Sequence, residues 1–167
     1  MMPSFWRAAF QLQYRILAVV DPLIRAAWRS YGVGNVFELR VSRRNGSGVR
    51  SRLVGLLNSG GESYLGHPNG HVGWTRDLDA SGSGVLRWPN GDEFHFRATR
   101  IFDPAERERA IRATGQHPFP GNLVYRLGRR HVRAEGVYFR LDPYEAPPTG
   151  DRTGRDQPLR ARRRGQR

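Results

Sequence analysis

The sequence predicts a mainly β protein of the α+β class, an antiparallel barrel with helices at its N-terminal end and one or two more between strands. Three observations lead there. Period-two alternation starts at Val36 and returns in several later segments, the mark of half-buried strands. Glycine-rich turns such as Asn45-Gly46-Ser47-Gly48 and Asn90-Gly91 join those segments closely, as in hairpins. Helical spacing is confined to the start of the chain and to a few later stretches.

In chain order, Phe5, Ala9, Leu12, Ile16 and Val19 recur in steps of four and three, while Arg7, Gln11 and Arg15 share another face. This predicts an amphipathic helix whose apolar side packs across the barrel or, alternatively, lies on a membrane surface. The apolar run Ile16–Val20 is too short for a signal-peptide core or a membrane span. Asp21-Pro22 offers a cap and a first-turn proline, so a second helix is expected to reach Ser30.

Phe37, Leu39 and Val41 alternate with Glu38, Arg40 and Ser42 in the first strand. Leu53-Val54-Gly55-Leu56-Leu57 is apolar on both faces and reads as a central strand. A third strand, Ser63-Tyr64-Leu65, leads into Gly66-His67-Pro68-Asn69-Gly70-His71-Val72-Gly73 and a helix start at Trp74. Two more strands flank Asn90-Gly91, the second carrying Phe94, Phe96 and Ala98. Asp103-Pro104-Ala105-Glu106 caps a helix to about Thr114. Residues 123–134 read as a short helix and a turn, and Val137, Phe139 and Leu141 as the last strand. The expected organisation is N-terminal helices over 1–34, a barrel over 35–143, and a disordered arginine-rich tail over 144–167, which has too few apolar residues to fold.

The 167 residues carry a net charge of +13, and every one of the 28 basic residues is arginine. Residues 145–167 hold seven arginines and three acids, so the remaining 21 arginines and 12 acids leave +9 in the body of the chain. Such a charge favours anionic partners: nucleic acid, a membrane surface or a phosphate-bearing cofactor. The absence of lysine excludes a Schiff-base or phosphate-loop lysine, and the absence of cysteine excludes thiolate catalysis, disulfides and cysteine-ligated metals. A cytoplasmic location is compatible with this composition.

Two polar stretches are candidates for chemistry. A strand end, a glycine loop and a helix start make the Gly66–Leu78 stretch an anion-accepting corner, because free N–H groups and the helix dipole point outward there. Arg43, Arg44, Arg50 and Arg52 around two glycines supply a cationic counterpart if the neighbouring strands are adjacent. His67 and His71 are four apart, but Pro68 and Gly70 lie between them and no glutamate follows His67, so no metal site is expected. No Gly-x-Ser-x-Gly elbow or triad is present, and no side chain stands out as catalytic.

The order Arg-Arg-Asn-Gly…Arg-Ser-Arg-Leu-Val-Gly-Leu-Leu from Arg43, Tyr-Leu-Gly-His-Pro-Asn-Gly from Tyr64, Trp-Thr-Arg-Asp-Leu from Trp74, then a hairpin and an Asp-Pro-Ala-Glu-Arg helix, resembles the deazaflavin-dependent nitroreductase family over about residues 20–142. That resemblance implies a split β-barrel that binds coenzyme F-420, a deazaflavin with an anionic phosphate and oligoglutamate tail. It further implies hydride transfer from the reduced cofactor to quinones, nitroaromatics or other unsaturated acceptors. The cofactor-binding positions it implies are Arg43, Arg44 and Asn45; Arg50, Ser51, Arg52, Leu53 and Val54; His67, Pro68, Asn69 and Gly70; and Trp74, Thr75, Arg76, Asp77 and Leu78. The substrate-side tyrosine stays open between Tyr125 and Tyr138.

This chain departs from the family pattern. Ser42 stands where the first loop glycine is usual, the loop is one residue longer, Leu53 stands where many members have proline, and Asp77 replaces an asparagine. A carboxylate near an anionic cofactor is unfavourable unless an arginine pairs it. Two rivals accompany the oxidoreductase reading. One is an FMN-binding or non-catalytic cofactor-binding protein of the same fold. The other is a nucleic-acid module using the arginine turn and tail, weakened because Phe37, Phe94, Phe96 and Phe139 alternate as core residues rather than as stacking platforms.

Overall fold

The computed structural model describes residues 3–32 and 34–144. The chain opens with α1 (Pro3–Tyr31), followed by strands β1 (Val36–Ser42), β2 (Val49–Gly55), β3 (Leu57–Ser59) and β4 (Glu62–His67). Helix α2 (Gly73–Ser81) leads to the hairpin β5 (Ser83–Arg87) and β6 (Glu93–Arg100). Helices α3 (Pro104–Ala113), α4 (Gly121–Leu127) and α5 (Arg129–Glu135) precede the last strand, β7 (Val137–Pro143). The class is α+β as expected, with four helices between strands rather than one or two.

All seven strands belong to one antiparallel sheet of order β2-β1-β5-β6-β7-β4-β3. Its two edges, β2 and β3, are consecutive in the chain and separated by Leu56 alone, so the sheet must curl until its edges meet. That curl makes the barrel. Leu56 extends the β1–β2 pairing by one residue before the chain crosses to β3: its N–H donates to the Asn35 carbonyl at 2.8 Å, and the Asn35 amide donates back to its carbonyl at 2.7 Å. The apolar run 53–57 is therefore not one central strand. It is the crossing from one sheet edge to the other, and it is apolar because Leu56 and Leu57 are buried at the closure.

Two cores share the sheet. Leu39, Val41, Leu65, Leu86, Phe96, Phe139 and Leu141 form one with Leu78 of α2, and Phe37, Phe94 and Trp74 pack against it. Phe10, Tyr64, Ile111, Tyr125, Val132 and Tyr138 form the other, beneath α1, α3, α4 and α5. Adjacent residues such as Tyr64 and Leu65, or Tyr138 and Phe139, serve opposite faces, as period two requires.

Helix α1 corrects two expectations. It is continuous through Pro22, where a break into two helices is expected from the sequence. Its second half is held to the barrel by the Trp28 indole N–H, which donates to the Val36 carbonyl at 2.8 Å, and by the Arg25–Glu38 pair at 3.3 Å. The face it buries is also different. Trp6, Phe10 and Tyr14 point inward, whereas Phe5, Leu12 and Ile16, with Leu23 in the same stripe, are 55–73% exposed. Helical spacing identifies faces but not which of two apolar faces meets the protein. No helix among the described residues is long and apolar enough to cross a membrane. The tail from residue 145 onward lies outside the described residues, while Tyr144 stays on the barrel, its N–H donating to the His95 carbonyl at 3.2 Å.

Candidate functional site

The arginine turn is the β1–β2 connection, closed by the Arg43 N–H donating to the Gly48 carbonyl at 2.8 Å. Asn45 shapes it: its side-chain oxygen accepts from the Ser47 N–H at 3.2 Å and the Ser47 hydroxyl at 2.7 Å. The side chains of Arg43 and Arg44 are left to solvent. The turn leans on α2, where Asp77 is 3% exposed and accepts from the Arg50 guanidinium at 2.5 Å and from the Arg44 N–H at 3.4 Å. Burial opposes ionisation of Asp77, but these two donors and the arginine charges outweigh it and hold the carboxyl below its ordinary pKa. The aspartate that departs from the family pattern is thus paired, and it anchors the turn to the helix.

Helix α2 begins at Gly73 after Val72, which has no side-chain acceptor for the first-turn amides. Thr75 is buried, and its hydroxyl accepts from the Val72 N–H at 2.8 Å. A Cβ at Gly73 would sit 3.3 Å from the Arg50 guanidinium, so the arginine lies close against the helix start. The uncapped amides, the helix dipole and Arg50 converge on one exposed spot, with Arg43 and Arg44 on the adjoining turn. This donor set fits an anionic group such as a phosphate.

The remaining expected residues divide between this corner and other roles. Arg52 is exposed on β2, Ser51 hydrogen-bonds Glu38, and Leu53 and Val54 are half-buried. Arg76 is exposed and Leu78 fully buried. His67, Asn69 and Gly70 contact α1 and α5, and Pro68 between them is buried. Asn69 reaches the His131 Nε2 at 2.8 Å and donates to the Arg7 carbonyl at 3.3 Å, while Gly70 has φ +70° with the Glu135 carbonyl beside it. His67 is buried, its Nδ1 accepting from the Asn69 N–H at 3.2 Å, and burial lowers its pKa to about 4. Its ring stacks on Tyr14 at 4.7 Å and meets the edge of Trp74 at 6.2 Å. Trp74 therefore stands between the two groups.

Beside Asn69 and His71 opens a cleft of about 480 Å³, lined also by Arg100, Phe102, Arg107 and Tyr138. Sequence reasoning missed it, and it missed Tyr14, His117 and His131, because these positions meet only through packing of α1, α4 and α5. Gly66 carried a signal that only the structure explains: the Tyr138 ring lies where a Cβ would be. No group of histidines and acids that could hold a metal ion occurs among the described residues.

No protein-family model matches the chain, and no curated protein matches its sequence. Solved structures do match. The heme storage protein HutZ of Vibrio cholerae superposes with a TM-score of 0.51 at 12% identity, over 76% of this chain and 92% of that one. A conserved hypothetical protein of Mycobacterium tuberculosis gives 0.50 at 13%, over 75% and 81%. A putative pyridoxamine 5'-phosphate oxidase of Listeria innocua gives 0.49 at 13%, over 80% and 94%. At such identities the likeness to the first two shows the fold, an antiparallel split barrel with flanking helices.

Proposed function

We propose that this split barrel binds a reduced deazaflavin, coenzyme F-420, and delivers hydride to a small unsaturated acceptor such as a quinone or nitroaromatic. The observation that carries the reading is the exposed corner where the uncapped α2 amides and the Arg50 guanidinium meet beside Arg43 and Arg44. It suits the anionic part of such a cofactor, and the pairing of Asp77 removes the charge conflict that the sequence raised. The cofactor supplies the hydride chemistry. The chain's own residues hold and orient it: Arg43, Arg44, Arg50 and the α2 amides take the anionic end, and Trp74 and Leu78 brace the corner from the core side. This reading needs no acid–base side chain, in keeping with the lack of an obvious one.

Absorption spectra of the protein incubated with coenzyme F-420 or with FMN and then desalted test the proposal. A retained deazaflavin band is the expected result; a retained FMN band alone makes it a flavin protein of the same fold, and neither band overturns the cofactor reading. Arg43→Ala and Arg44→Ala are each expected to weaken binding by about 1.5–3 kcal/mol, the scale of a charge-assisted hydrogen bond to phosphate. Because both side chains are exposed, thermal stability should stay unchanged. Full affinity in both variants would make the turn a solvated hairpin.

We place the protein in the cytoplasm, with peripheral membrane contact through α1. Support comes from the exposed stripe Phe5, Leu12, Ile16 and Leu23, bordered by Arg15. Co-sedimentation with phosphatidylglycerol vesicles should fall at least tenfold in the Leu12→Glu, Ile16→Glu double variant, with an unchanged melting temperature. Equal sedimentation of both proteins would refute membrane contact by this stripe.

A further inference from the structure

The inner face of α1 places a phenol where a core would ordinarily place a phenylalanine. Tyr14 inserts between the end of β4 and α4, its ring stacked on His67 with centroids 4.7 Å apart and planes inclined by 25°. Its hydroxyl meets the Tyr125 hydroxyl at 3.2 Å. Tyr125 is backed by His117 at 4.7 Å and Phe10 at 5.4 Å. Nearby in the same core, the hydroxyls of Tyr64 and Tyr138 are buried without a hydrogen-bond partner, and so is the side-chain oxygen of Gln13 on α1.

An unsatisfied buried hydroxyl forfeits its hydrogen bonds to water without replacement, so a region with several is poor as a core and suited to a ligand. Its chemistry is specific. The phenols stay protonated, with burial raising Tyr14 to about 12 and moving Tyr125 and Tyr138 the same way, and His67 stays neutral. The region therefore offers flat aromatic faces and neutral O–H donors, a match for a planar ring that carries carbonyl or nitro oxygens.

We propose that Tyr14 is a built-in occupant of the acceptor site: a quinone or nitroaromatic displaces it, stacks on His67 and takes a hydrogen bond from the Tyr125 hydroxyl. The inference rests on the oxidoreductase reading for its acceptor class and on the Tyr14 contacts for its place. The first half of α1 is held by packing, with Phe10 fully buried and Phe10 and Trp6 lying against Gly128. Beyond its aromatic contacts, its ties to the body include the exposed Arg7–Glu135 pair at 2.8 Å and the Asn69 contact to the Arg7 carbonyl, whereas Trp28 and Arg25 secure the second half. His67 in turn meets the edge of Trp74 in the first turn of α2, which links this site to the corner proposed for the cofactor's anionic end.

Equilibrium dialysis with menadione tests this on the full chain. Tyr14→Ala is expected to bind at least ten times more tightly than the native protein, and adding Tyr125→Phe should abolish the gain. In the native protein, saturating menadione should speed amide hydrogen exchange across residues 5–16 severalfold. Equal affinity of native and Tyr14→Ala protein, a gain that survives Tyr125→Phe, or native binding without faster exchange in α1 each overturns the proposal. If Tyr14→Ala does not fold, the native exchange experiment decides, and no menadione binding there counts against it. Cofactor retention after desalting is read separately: a protein that retains deazaflavin but ignores menadione loses only this inference, while the converse loses only the cofactor.

Discussion

Asp77→Ala lowers folding stability by about 2–4 kcal/mol, because removing one partner of a buried pair leaves the other charge uncompensated. The lower part of that range is the better expectation, since Arg50 is 27% exposed and can turn toward water. Asp77→Asn loses less, as the amide oxygen still accepts from the Arg44 N–H or the guanidinium. The same two variants should gain affinity for anions, because Arg50 no longer has its charge cancelled beside the α2 amides. Stability and anion affinity thus move in opposite directions, which a residue with a purely structural role would not produce. Urea melts, paired with titration of coenzyme F-420 at two salt concentrations, check both halves. Lower stability with unchanged cofactor affinity would confine Asp77 to anchoring the turn, and weaker binding by Asp77→Asn would show that the aspartate orients Arg50 for the ligand.

Acid destabilises this protein well above the carboxylate range. His67 and His117 are both held near pKa 4 by burial, against an ordinary value of 6.5. The unfolded chain therefore takes up protons between 6.5 and 4 that the folded chain refuses, so stability is full above 6.5 and falls as pH drops toward 4. Each histidine removes about 1.4 kcal/mol by pH 5.5 and about 3 kcal/mol below pH 4, at 1.36 kcal/mol per unit of pKa. His131, lowered mainly by burial, adds in the same direction. Urea melts at pH 7.5, 5.5 and 4.5 should show this slope, and His67→Gln should remove close to half of it. A stability that is flat from pH 7.5 to 5.5 would mean that both imidazoles reach solvent in the folded state.

The extent to which the chain could be read in advance follows from the range of the interactions involved. Alternation in β1, β6 and β7, the Asn90-Gly91 hairpin and the Asp103 cap are local, and each appears where the residues indicate. The Asp103 carboxylate accepts from the Glu106 N–H at 2.7 Å, as its spacing implies. The run 53–57 misleads because apolarity on both faces reports burial without saying what buries it. A central strand and the closing seam of a curled sheet leave the same pattern.

Composition and local patterning by themselves determined the α+β class, the positions of most strands, the basic surface, the exclusion of thiol and lysine chemistry, and the arginine turn as a candidate anion site. Tertiary structure alone decided which apolar face of α1 is buried, that Asp77 is neutralised by Arg50, that His67 stacks on Tyr14, and that Gly66 makes room for Tyr138. The physical reason is sequence distance. Tyr14 and Tyr125 are 111 residues apart, and Arg50 and Asp77 are 27 apart. No periodicity or motif within one segment encodes such pairs; they arise when the sheet closes and its helices pack on the two faces.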